Sequence, residues 1–219
     1  RVAKWWFNLY ERHWMLRGMT HALTDYYGAP EAVHRLYRAL TDFYKRAMER
    51  ARDELAADAI LVGDDLGTQE GCFFSPAVFD EFFLPYYREM IAKAHELGMH
   101  FWLHCCGNVS DLLEKFVAIG LDVIHPIQAH AMDQVAAAGR FRGRISFWAG
   151  LDVQQVIPWG TPDDVRAEVR KLIDAFHTPG RGGLVLTAGN GINGDCPLDS
   201  LRAFLEESFS HGSDVRRRM

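Results

Sequence analysis

From about residue 30 onward the chain alternates long segments, whose apolar residues recur at spacings of three and four, with short and dense apolar runs. The first spacing is that of a helix with one buried face, and the second is that of a strand buried on both sides. Repeated alternation of the two restricts the chain to the α/β class with a parallel sheet. Pro30 to Arg52 carries Val33, Leu36, Tyr37, Leu40, Phe43, Tyr44 and Ala47 at helical spacing and leads into the run 59–63. Ser75-Pro76 supplies a cap and a first-turn proline for a helix expected to reach about Leu97, ahead of a strand at 101–103. Asp111 to Ile119 reads as a helix before the strand Val123-Ile124, and a short helix near Met132 to Ala138 precedes a strand at 145–148. Thr161-Pro162-Asp163-Asp164 opens a helix through Phe176, with acidic residues at its positive end. A strand at 183–187 and a helix from about Pro197 to Ser208 complete the series, and a further strand is expected near Phe7.

The architecture expected from these units is a (β/α)8 TIM barrel. Such a barrel takes about 250 residues, at roughly 30 or more per βα unit. The 219 residues, which open on Arg1 with no initiator Met, are therefore expected to be its C-terminal portion, a fragment lacking two or three N-terminal units, with 1–219 forming part of one domain. An open doubly wound sheet is the alternative, but no G-x-G-x-x-G turn follows a strand. A formal charge of −5 gives no basic stripe for a nucleic acid. No apolar run approaches the roughly 20 residues that span a bilayer, so a cytoplasmic protein without a membrane partner is expected. Cys72, Cys105, Cys106 and Cys196 do not make a disulfide framework, which leaves packing or metal binding as uses for the thiols.

Barrel enzymes place reactive side chains where strands end. Here those points carry Asp64 and Asp65, then His104 and Cys106, His125 and Gln128, Asp152 and Gln154, and Asn190 with Asp195 and Cys196. Any one of them alone is commonly turn chemistry; their recurrence at five strands points to a site. His104-x-Cys106 can aim an imidazole and a thiol at one point, because residues two apart in an extended segment share a side. Zinc prefers such donors and needs one more protein ligand plus an open position. The competing reading makes Cys105 and Cys106 small buried apolar groups and His104 a hydrogen-bonded core histidine. Adjacent Asp64 and Asp65 point to opposite sides, so at most one faces a site, and a helix or turn cap is the alternative. Cys196, before Pro197, sits at the edge of the last helix, where a lowered pKa would favour a thiolate. Trp5, Trp6, Phe7, Tyr10 and Trp14 read as wall aromatics, with Trp14 able to line a pocket for a flat ligand.

The runs Gly63-Asp64-Asp65-Leu66-Gly67-Thr68-Gln69, His104-Cys105-Cys106-Gly107-Asn108, His125-Pro126-Ile127-Gln128, Trp148 to Gln154 and Gly189 to Pro197 resemble the uroporphyrinogen decarboxylase superfamily, in the expected order after Trp14-Met15-Leu16-Arg17-Gly18. The resemblance implies a (β/α)8 barrel and one of two chemistries: cofactor-free decarboxylation of tetrapyrrole acetates, or zinc-dependent methyl transfer involving a corrinoid. His104 and Cys106 match the His-x-Cys zinc pair of the methyltransferase branch. That branch implies Zn2+ and a corrinoid carried by a separate partner protein, with a small-molecule methyl donor or acceptor. It further implies Asp64, Asp65 and Asn190 as catalytic residues and Trp14, Gln69, His125, Gln128 and Asp152 as substrate contacts. The coenzyme M enzymes of the branch have a cysteine where Asn190 stands, so the third zinc ligand is either Cys196, six residues later in the same loop, or one of Asp64, Asp65 and Glu70, or zinc is not bound. A metal-independent decarboxylase, or a degenerate barrel with a binding role, are the alternatives.

Overall fold

Residues 1–217, which the computed structural model describes, form six strands and ten helices. They divide into two compact units, Arg1–Val123 and the chain from Ile124 onward. In both, strands and helices alternate and paired strands run parallel in chain order, the α/β pattern that the alternation predicts.

The first unit pairs β1 (Val2–Trp5), β2 (Ala59–Gly63) and β3 (His100–His104), with Val2 opposite Ala59 and Gly63 opposite His104. All five residues of β2 are buried, which explains its unbroken apolar run. Between β1 and β2 lie α1 (Tyr10–Arg17), α2 (Met19–Gly28) and α3 (Pro30–Leu55); between β2 and β3 lie α4 (Pro76–Phe82) and α5 (Leu84–Glu96); α6 (Ser110–Ala118) follows β3. Helix α3 buries Val33, Tyr37, Thr41, Tyr44, Met48 and Ala51, a stripe at spacings of three and four. Phe79, Phe83, Tyr87 and Phe116 form a fully buried aromatic layer beneath α4 and α5. Each buried phenyl ring contributes about 1.5–3 kcal/mol relative to exposure.

Two expectations are corrected here. The single helix from Pro76 to Leu97 is two, broken at Phe83, because Pro85 enters the first turn of α5 without an N–H to continue the ladder of α4. The early strand ends at Trp5, before Phe7, whose backbone takes φ 64° as the chain turns into α1. Helices α1 and α2 were not anticipated from the sequence.

The second unit contains β4 (Val123–His125), which starts at the boundary, then α7 (Gln134–Phe141), β5 (Ser146–Gly150), α8 (Val156–Trp159), α9 (Pro162–Phe176), β6 (Leu184–Thr187) and α10 (Leu198–Arg217). Strands β5 and β6 are in register from Phe147 opposite Leu184 to Gly150 opposite Thr187. Thr161 and Asp164 form a full capping box on α9, as the sequence signal implies. Helix α10 runs beyond the expected Ser208, where His211 pairs with Asp174 of α9, and Arg166–Glu206 and Arg170–Glu207 join the same two helices just before that point. Arg216 and Arg217 belong to that helix, whereas Arg218 lies outside the described residues. Among the described residues no helix is long and apolar enough to cross a membrane.

Candidate metal centre

The loops leaving β2 and β3 are fastened to each other by backbone. Asp64 N–H donates to the His104 carbonyl at 2.9 Å, Leu66 N–H to Cys105 Sγ at 3.3 Å, and Asn108 N–H to the Thr68 carbonyl at 2.6 Å. Gly67 and Gly107 meet at the crossing, where a Cβ on Gly107 would overlap the Gly67 carbonyl. Gly107 also holds φ 84°, a left-handed conformation that favours glycine. Cys105 is therefore a buried acceptor in the loop junction, with its thiol pushed up by burial.

On this junction three donors converge. One ligand atom each from Asp65, His104 and Cys106 lies within 4.8 Å of the others. Cys106 Sγ is 3.3 Å from His104 Nε2, and Asp65 Oδ1 is 3.5 Å from that same nitrogen while accepting the Cys106 N–H at 2.8 Å. Burial, opposed by the Asp65 carboxylate, lowers the His104 pKa below its ordinary 6.5. The imidazole is thus neutral at neutral pH and keeps a lone pair. Burial and the Asp65 and Glu11 carboxylates push the Cys106 thiol up to about 12.

Asp64 and Asp65 divide their work. Asp64 is fully buried and accepts four hydrogen bonds, from the N–H groups of Leu9 (3.0 Å), Tyr10 (3.2 Å) and Glu11 (2.9 Å) and from the Tyr87 hydroxyl (2.7 Å). Its oxygens cap the start of α1, where Leu9 has no capping side chain of its own. Burial pushes its carboxyl up to about 6 despite these bonds. Of the two readings offered by the acidic pair, the cap describes Asp64, and Asp65 alone joins the donors. Glu11, in the first turn of α1, brings its carboxyl into the field of Asp64 and Asp65. Burial first, then Asp64 and Asp65, push the Glu11 carboxyl up to about 7. Trp6 closes one side, its ring edge-on to His104 at 4.8 Å and lying against Gly63, which has no room for a side chain.

The remaining candidates are elsewhere. Gln69 and Glu70 are exposed in the loop after β2, and Trp14 is half-buried in α1. In the second unit, the His125 ring packs at 4.3 Å from Trp148, and the Gln128 carbonyl accepts the N–H groups of Ala131 and Met132. Asp152 is buried, caps the backbone of Gln154 and Gln155, and contacts His130 Nε2 at 2.7 Å. Asn190 is exposed, with Oδ1 accepting the Gly191 N–H. Cys196 Sγ lies 3.9 Å from Asp195 Oδ1 and is not in the donor group found among the described residues. Sequence reasoning missed Glu11, Tyr87 and His130. A helix beginning at Leu9-Tyr10 without its own cap, together with an acidic pair of which one member must turn inward, was the available signal for Glu11.

The sequence profile described as Uroporphyrinogen decarboxylase (URO-D) matches residues 14–210. The chain is 30% identical over 171 residues to the Methylcobamide:CoM methyltransferase MtbA of Methanosarcina mazei, covering 77% of this chain and 47% of that protein. It is 31% identical over 194 residues to the uroporphyrinogen decarboxylase of Xanthomonas oryzae, covering 82% of this chain and 50% of the relative. The chain thus spans about half the length of the curated relatives it matches. A solved methyltransferase from Methanosarcina mazei has the same fold, with a TM-score of 0.68 and 18% identity over 88% of this chain and 54% of that one.

Proposed function

The chain belongs to the uroporphyrinogen decarboxylase (URO-D) family, a family of enzymes, and from that premise we propose that it acts in zinc-assisted methyl transfer to or from a corrinoid. The observation that carries this reading is the convergence of Asp65, His104 and Cys106 within 4.8 Å. The donor set suits a divalent cation. A neutral imidazole, a carboxylate and a thiol are ordinary zinc ligands. The thiol is held protonated by burial and by the surrounding negative charge, and that charge favours a cation. When bound, zinc supplies Lewis acidity that lowers the pKa of a coordinated thiol or oxygen.

The chain's own residues do the rest. His104 presents its lone pair because burial keeps it neutral. Cys106 would give up its proton to serve as a ligand to a cation held in the set, and Asp65 holds the Cys106 peptide through its N–H. Trp6 shields the imidazole from water on one side. The relative's methylcobamide and CoM suggest a corrinoid, carried by a partner protein, and a small methyl donor or acceptor. Metal analysis of the wild type and of Cys106→Ser tests the reading. The expectation is about one zinc per chain, lost in the variant; a zinc-free wild type or unchanged occupancy in Cys106→Ser contradicts it. The 31% identity to a decarboxylase favours a second reading, metal-independent decarboxylation, which carbon dioxide release from a porphyrinogen by metal-free protein would support.

A further inference from the structure

The second unit holds a pair of side chains that the metal reading does not use. His130 Nε2 lies 2.7 Å from Asp152 Oδ2, and Asp152 is only 4% exposed. The other carboxylate oxygen accepts the N–H groups of Gln154 at 2.8 Å and Gln155 at 3.2 Å, so the acid is anchored to its loop. A carboxylate only accepts, so in the neutral ring Nε2 carries the proton and Nδ1 keeps its lone pair. Nδ1 has no partner among the described residues, and the ring is half exposed. The imidazole lines a cleft of about 260 Å³ together with Met132, Val135 and Val156 and with Glu168 and Lys171 of α9. We propose that this cleft hydrolyses small neutral carboxylic esters, with His130 as general base and Asp152 as its positioning residue, an activity separate from the methyl transfer proposed above.

The residues around the base select this chemistry. The cleft is lined by no serine, threonine or cysteine, so the nucleophile is water and not a side chain. Lys171, held by both Glu168 oxygens at 3.2 Å, supplies positive charge for the carbonyl oxygen as it turns negative. The carboxylates of Asp133, Asp152 and Glu168 outnumber that one ammonium, which disfavours an anionic substrate. Water passes a proton to Nδ1 as its oxygen bonds to the carbonyl carbon. The acyl C–O bond then breaks and the imidazolium returns the proton to the departing alcohol, so that ester and water leave as acid and alcohol. His130 also holds φ 64°, in the left-handed region, and backbone strain of this kind gathers at functional sites.

Hydrolysis of p-nitrophenyl acetate is the test, read for the wild type, His130→Gly and Asp152→Asn at a temperature where thermal unfolding shows each of them folded. The wild type is measured both zinc-loaded and after chelation. Glycine adopts φ 64° without strain, so His130→Gly removes the ring and leaves the loop at ease. The wild type should hydrolyse the ester with saturation, more slowly in D2O than in H2O, and at the same rate after chelation. His130→Gly should lose about 100-fold or more in kcat/KM. Imidazole added to that variant should restore part of the loss, beyond the rate of imidazole alone. Asp152→Asn should lower kcat with little change in KM, because the ring loses its fixed tautomer. A wild type no faster than His130→Gly overturns the proposal, as does a rate without a D2O effect or a variant that imidazole fails to rescue. Hydrolysis that vanishes on chelation moves the activity to the metal set and also overturns it. Ester hydrolysis by a wild type that takes up no zinc upholds this site and removes the metal reading alone.

Discussion

In the first unit the ends of β2 and β3 are closed by Gly67 against Gly107; in the second the ends of β5 and β6 are closed by Gly150 against Gly189, at positions where neither tolerates a Cβ. The backbone device is the same, and acidic residues follow the strand in each case: Asp64 and Asp65 after β2, Asp152 after β5. Their side chains differ in use. Asp152 is occupied by the Gln154 and Gln155 N–H groups and by His130. In the first unit Asp64 does the capping, and the doubled acid leaves Asp65 for the His104–Cys106 pair. A glycine closure thus prepares a strand end for chemistry, and a side chain left over after capping supplies it.

Gly107→Ala against Gly150→Ala is the sharpest way to break this comparison. Overlap with backbone at both positions should cost about 3 kcal/mol or more in unfolding free energy. Metal content should collapse only in Gly107→Ala; equal metal loss in both would mean that the closure of the first unit has no special link to the donors.

Asp64→Ala should rank next. It strips acceptors from three backbone N–H groups and the Tyr87 hydroxyl, and each buried donor left unsatisfied costs about 1–3 kcal/mol. Asp65→Asn should lose metal with a change in unfolding free energy of about 1 kcal/mol or less, since its side chain is 40% exposed. Similar melting losses in the two variants would erase the division of labour between the neighbours.

Asp152→Asn should lower stability by about 1–2 kcal/mol through its loop cap and leave metal content intact. The smallest effect is expected from Asp25, whose carboxyl Arg17 holds down at about 2 against an ordinary 3.8. A depressed carboxyl stabilises the fold above its unfolded pKa, so this contribution is present above about pH 4 and is lost as pH falls toward 2. With Arg17 half exposed it is worth only about 0.2–1 kcal/mol, and acid titration of stability in Asp25→Asn should show a correspondingly shallower slope between these limits.

The fold was legible wherever a local pattern carries it. β2 and α9 begin and end where periodicity, the Thr161 cap and Pro162 place them, because those signals act within a turn or a strand. The break at Phe83 was overlooked although Pro85 announces it. Helix α1 was illegible for a different reason: its cap comes from Asp64, 53 residues beyond Glu11, so nothing adjacent to Leu9 marks a helix start. The site divides along the same line. His104 and Cys106 could be paired from a two-residue spacing, but which acid joins them depends on which way the 64–65 peptide faces, a matter set by α1 and Tyr87.

X-ray absorption at the zinc edge of the metal-loaded protein tests the central claim most directly. A donor set of Asp65, His104 and Cys106 predicts one sulfur at about 2.3 Å with nitrogen and oxygen at about 2.0–2.2 Å. Two sulfurs would bring in a second cysteine such as Cys196 and contradict Asp65 as the third donor.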